Sequence, residues 1–175
     1  PALDGEGTWL VGLSADGRLL RLLESGRFEN VGRRLPIASG EHVRGVAVTS
    51  DAAFALALDG AVLLVNVAKQ TSVRLDVPSL DGVAATESRI AGLRGDELVV
   101  VDVASRKTTS RAVPGARGAA FDAAGRLLVL TPHALLRDDG TSGGTLSRIV
   151  ERDDVELRAL GAGGGRVWFV AGAEP

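Results

Sequence analysis

Side-chain chemistry in this 175-residue chain has to come from oxygen and nitrogen atoms, because there is no Cys and only two His, His42 and His133. A zinc-thiolate centre, a disulfide framework and a cysteine nucleophile are therefore excluded. The histidines stand 91 positions apart and neither sits in a His-Glu-x-x-His pattern, so each is expected to make a polar contact at a loop or strand end and not to ligate a metal. Ser39 lies near His42, but no Gly-x-Ser-x-Gly elbow is present to expose a nucleophilic hydroxyl. The segment richest in oxygen donors is Asp138, Asp139, Gly140, Thr141 and Ser142. It lacks the Asp-x-Asp-x-Asp-Gly spacing that wraps calcium, and a hairpin tip is expected there.

Two further stretches invite a ligand. Residues 161–165 read GAGGG, but a glycine-rich phosphate cradle needs a helix to follow it, and the alternating run 166–171 reads as a strand. Arg33, Arg34 and Arg44 gather round His42 as a local basic patch, within a chain whose formal charge is -2. That balance offers no general attraction to nucleic acid or anionic lipid. Arg33, Arg34, His42, Arg44, Asp138, Asp139 and Thr141 are therefore expected to contact a protein partner. No catalytic residue, metal site or cofactor is assigned.

The elements that would carry these residues are strands. Hydrophobic residues make up 45% of the chain and aromatics only 3%, so the core must be built of Val, Leu, Ile and Ala, and no window shows an apolar stripe of helical period. The clearest unit runs over residues 82–113, with four apolar or alternating runs at 83–86, 90–93, 98–103 and 108–113 separated by turn residues. Residues 45–77 repeat it, and a third copy begins at Gly118: 37 residues separate Gly45 from Gly82 and 36 separate Gly82 from Gly118. Its last hairpin is lengthened over 138–145 before a strand at 146–151. Another unit opens at 155–160 and continues through 166–171. The first unit is expected to hold three strands, at 8–13, 18–23 and 27–31, with Asp16-Gly17 as a hairpin turn and 32–43 as a longer connection.

Four short antiparallel strands per ~36 to 43 residues is the signature of a β-propeller, in which each sheet is apolar on both faces and is covered by its neighbours. The expected fold is thus all-β, a propeller of four-stranded blades near 1–35, 43–78, 80–114, 115–154 and 155–175, the first and last incomplete. The runs GVAV at 45–48, GVAA at 82–85 and GAAF at 118–121 are placed innermost, where backbones crowd and small residues fit. Trp9, Phe54, Phe121, Trp168 and Phe169 are assigned to the packing between blades.

Residues 63–69 (LLVNVAK) and 98–107 (LVVVDVASRK) resemble the third strands of WD40-like and related bacterial propeller repeats, which end in an Asp-containing motif before a turn. The chain has neither a Trp-Asp dipeptide nor a Gly-His pair, so the resemblance does not extend to the hydrogen-bonded tetrad of WD40 blades. Together these features lead us to expect a non-catalytic interaction or scaffold module, whose partner is another protein or the rest of the same protein. An enzyme of lactonase or glycan-cleaving type is the alternative. It would need Asp, Glu, His or Asn pointing into the central channel, and the inner runs supply none. The absence of Met and the start at Pro1 suggest a processed product or a piece of a longer chain. With no apolar run long enough for a membrane helix, a soluble protein is expected, with the cytoplasm favoured.

Overall fold

The computed structural model describes residues 2–4, 9–13, 17–22, 25–31, 33–50, 53–138, 145–163 and 166–172. They form eighteen strands in five antiparallel sheets. The first sheet holds β1 (Ala2–Asp4), β2 (Trp9–Leu13), β3 (Leu19–Leu22) and β4 (Phe28–Val31). The second holds β5 (Val43–Ser50), β6 (Ala53–Leu58), β7 (Ala61–Asn66) and β8 (Thr71–Asp76). The third holds β9 (Ala84–Ala85), β10 (Arg89–Arg94), β11 (Glu97–Asp102) and β12 (Thr108–Ala112). The fourth holds β13 (Gly118–Phe121), β14 (Leu127–Leu130), β15 (Ala134–Asp138) and β16 (Leu146–Glu151), and the fifth pairs β17 (Glu156–Gly163) with β18 (Arg166–Gly172).

Every sheet is a simple meander, and the turn chemistry shows why. Between β6 and β7 the two turn residues are Asp59 and Gly60, and Gly60 has φ of 84°, a conformation that a residue without Cβ adopts freely. At the opposite end of the sheets the third-to-fourth turn is capped by a side chain. Asn66 Oδ1 accepts the Lys69 amide at 2.8 Å, and Asp102 Oδ1 accepts the Ser105 amide at 2.7 Å. Four residues beyond each cap, Gln70 and Arg106 take left-handed φ values of 55° and 58°. One turn is thus built twice from equivalent residues, and the Asp-containing motif read in the sequence is its cap.

The first strands of the sheets follow one another about a common axis, β1 beside β5, β5 beside β9, β9 beside β13 and β13 beside β17, and β17 also approaches β1. Crowding on the inner side is visible at glycine. A Cβ on Gly45 would stand 3.0 Å from the Gly82 Cα, and one on Gly92 would stand 2.6 Å from the Gly82 carbonyl oxygen. Adjacent backbones close to these distances only because all three positions lack a side chain.

Alternation within the second strands sends successive residues to opposite neighbours. Phe54, Leu56 and Leu58 pack with Leu19 and Leu35 of the first sheet, whereas Ala55 and Ala57 pack with Ile90, Val99 and Val101 of the third. Ala91 and Leu93 meet Leu127 and Val129, and Leu128 and Leu130 meet Leu157. The core is therefore four slabs between sheets, with no buried polar or charged residue among the described ones.

Three expectations need correction. The first unit has four strands and not three, because β1 pairs with β2 through Ala2↔Val11 and Asp4↔Trp9. That strand is three residues long and has no alternation to reveal it. Trp168 and Phe169 are not packed away between blades: they are 51% and 38% exposed, because β18 has no third strand beside it. Phe54 does fill a slab, Phe121 packs against one, and the side chain of Trp9 lies outside the described residues. The low weight given to exposed aromatics also fails, since Phe28 is 56% exposed.

Candidate interaction face

All five sheets run the same way round the axis, so the segments entering the inner strands and the second-to-third turns share one end of the molecule. Arg44, Asp81 and Arg117 each immediately precede the glycine that their units share. Register carries β5 past the Asp59 turn, through Val43↔Leu58, and this brings four groups together. Asp59 accepts the Arg44 guanidinium at 2.7 Å and the His42 backbone amide at 3.1 Å, and its Oδ2 lies 3.0 Å from His42 Nδ1. Arg44 reaches across to Asp81 of the next unit at 3.6 Å.

The pattern recurs round the rim. Glu41 takes both guanidinium nitrogens of Arg74, at 2.5 and 3.2 Å, which ties the 33–42 connection to β8. Arg117 meets Glu156 at 2.5 Å, and Glu156 also receives Arg158 at 2.9 Å. Arg152 makes a two-point pair with Asp154, at 2.8 Å for each bond. The result is a surface of fixed, paired charges of both signs, held on strand ends whose other halves are buried in the slabs. Exposed pairs of this kind add little stability each, so their geometry matters more for recognition.

The rim carboxylates are acidic for physical reasons. Hydrogen bonding from Arg44, then from the His42 amide and ring, holds Asp59 down to about 2. Arg152 holds Asp154 to about 2, Arg74 lowers Glu41, and Arg117 and then Arg158 lower Glu156. Each group is more acidic folded than unfolded, so in the window below its ordinary value the unfolded chain binds more protons. The stability from Asp59 is complete above pH 3.8 and is lost as pH falls through about 2. Urea unfolding of Asp59→Asn across this window should therefore show a flatter fall of stability with acid than the parent. Parallel profiles would contradict the assigned hydrogen bonds.

Of the residues singled out in the sequence, His42 and Arg44 meet on Asp59. Arg33 and Arg34 are elsewhere, lining a shallow cleft between the first two sheets with Val31, Val65 and Gln70, where Arg33 Nη2 donates to the Gln70 carbonyl at 3.1 Å. Asp138 ends β15 at the opposite end of the sheets, 3.9 Å from Arg111. Asp139 and Thr141 fall outside the described residues. Sequence reading missed Asp59, Asp81, Glu156 and Arg158. Asp59 was legible only as a turn residue, although the length of β6 could have placed it beside residue 43. Among the described residues no group of three His, Asp or Glu is arranged to hold a metal ion, and no helix is long and apolar enough to cross a membrane.

Radial four-stranded meanders about a common axis make this chain a β-propeller protein. Comparison with solved structures agrees. Virginiamycin B lyase from Staphylococcus aureus superposes over 91% of this chain and 61% of its own, with TM-score 0.59 and 12% identity. A streptogramin B lyase structure superposes over 97% of this chain and 64% of its own, with TM-score 0.61 and 16% identity. A propeller from a nidogen/laminin complex matches over 94% of this chain and 86% of its own, with TM-score 0.63 and 12% identity. The chain thus spans less than two thirds of the two lyases. These similarities establish a propeller repeat and do not single out the WD40 type. No family model matches the sequence, and no curated protein does.

Proposed function

We propose that this chain is an interaction module that binds a protein partner through the charged rim and performs no chemistry of its own. The supporting observation is the run of ion pairs from Glu41 and His42 through Asp59, Asp81, Glu156 and Arg158 to Asp154. It offers a rigid polar surface of mixed sign, the kind that selects a partner by charge pattern and speeds encounter. The Asn66 and Asp102 caps are the WD40-like element of the repeat, and they shape the opposite face. Two structural neighbours are named as lyases, but at 12% and 16% identity that likeness carries fold alone.

The test is site-specific photo-crosslinking in the native host, with a benzophenone side chain placed at His42 or Arg152 on the rim and at Ser72 on β8 away from it. A protein joined at both rim sites and not at Ser72 supports the reading. That partner, purified, should bind with affinity that falls as salt rises and drops about tenfold on Arg44→Glu. Adducts confined to Ser72, or affinity untouched by Arg44→Glu, would overturn it.

A further inference from the structure

We propose that the open edge of β18 receives an antiparallel β-hairpin from a protein partner, its first strand a run of about six mostly apolar residues closing on Asp or Asn. This rests on the interaction-module reading and names a second contact surface for it.

The repeat defines the vacancy. β2, β6, β10 and β14 occupy the second position of their sheets, and each hydrogen-bonds a third strand. β18 holds the same position in the fifth sheet and is paired on one side only. The side chains record the difference. Counting along the second strands, Trp168 falls where the neighbouring sheets have Ala55 and Leu128, and Val170 where they have Ala57 and Leu130. Those four are 0%, 2%, 0% and 0% exposed, against 51% for Trp168 and 60% for Val170. Phe169, turned to the other face, is 38% exposed.

Nothing in the edge repels a strand. Soluble proteins usually defend such edges with Lys, Pro or a bulge, but residues 166–172 read RVWFVAG with one charge and no Pro. A Trp flanked by apolar residues on an unpaired strand combines an anchor with a row of free backbone groups.

The occupant's chemistry comes from the sheets that are complete. Three of the four third strands are AVLLVN, ELVVVD and ALLRD, apolar runs that end in Asn66, Asp102 and Asp138. Asp102 stands opposite Arg89, the first residue of β10. Arg166 is the first residue of β18, so the incoming strand finds a basic residue in register with its acidic or amide end. The fourth strands that follow are polar and exposed in β8 and β12, so the second strand of the hairpin is polar outward.

The probe is a synthetic peptide with the sequence of residues 97–112, added to the whole chain carrying Trp9→Phe, so that Trp168 is the only tryptophan. We expect saturable binding with a blue shift of Trp168 emission and about tenfold slower amide exchange over residues 166–172. Val170→Lys, an exposed change that leaves the circular dichroism and melting of the free chain unaltered, should weaken the peptide by about tenfold, as should a peptide with Lys in place of its Asp102. Absence of saturation up to about 1 mM peptide overturns the proposal. Protection appearing at residues 89–94 does so too, since the peptide has then replaced its own copy. A concentration-dependent dimer abolished by Val170→Lys would make a second copy the occupant and would equally overturn it. Arg44→Glu should leave peptide binding unchanged, so loss of the edge contact and loss of the rim contact are read separately.

Discussion

Phe54→Ala should destabilise the protein by about 3–5 kcal/mol, the largest effect of any substitution considered for this chain. Phe54 is 1% exposed and is the only aromatic among the largest fully buried side chains. It lies in the slab where β6 faces the first sheet, against Leu19, Leu35 and Val65. Removing the ring leaves a cavity that neighbours fixed in two sheets cannot fill, so the transfer and cavity costs add. For a chain of this size the melting midpoint should fall by roughly 6–20 °C. Val73→Ala is the control: Val73 is 46% exposed on β8, and its loss should stay within about 0.5 kcal/mol. Equal effects for the two would mean that the first and second sheets do not share a core. Because each sheet touches only its neighbours, amide exchange should accelerate in β3 and β6 well before β14.

Gly92→Ala should cost about 1–3 kcal/mol by the opposite mechanism, overfilling. The added methyl would meet the Gly82 carbonyl oxygen at 2.6 Å and Leu80 Cδ1 at 2.8 Å. Leu80 can turn aside, but the carbonyl belongs to backbone entering an inner strand and cannot, so the two sheets must part. Gly161→Ala, where a Cβ would meet nothing within 4 Å, should be close to neutral. Urea unfolding of the pair decides the matter. Matching midpoints would show that the sheets do not approach each other as described.

The fold was legible wherever a residue's role was local. Asp59-Gly60 announces a tight turn whatever surrounds it, and Gly45, Gly82 and Gly118 recur because three copies of one unit face the same crowding. β1 was hidden because three residues cannot display a period, and it is recognised only by the strand it pairs with. The rim was half legible. His42 and Arg44 are polar residues beside a connection, but their partner Asp59 is 15 or more positions away, and only the pairing of β5 with β6 makes them neighbours. Phe54 and Trp168 look alike in the sequence, each in the second strand of its unit. They differ in what the next strands supply, which no local pattern contains.

The residues before the shared glycine have a consequence for assembly. Successive units present Arg44, Asp81 and Arg117, and then Arg117 engages Glu156, so cation meets anion at each recorded step between neighbours. Modules so alike in backbone could dock out of sequence while the chain folds. A skipped module would seat Arg44 against Arg117, and that mismatch sends the misordered form back. The sign of one residue per module thus works as an address label, which lets near-copies line up in chain order without differing in shape.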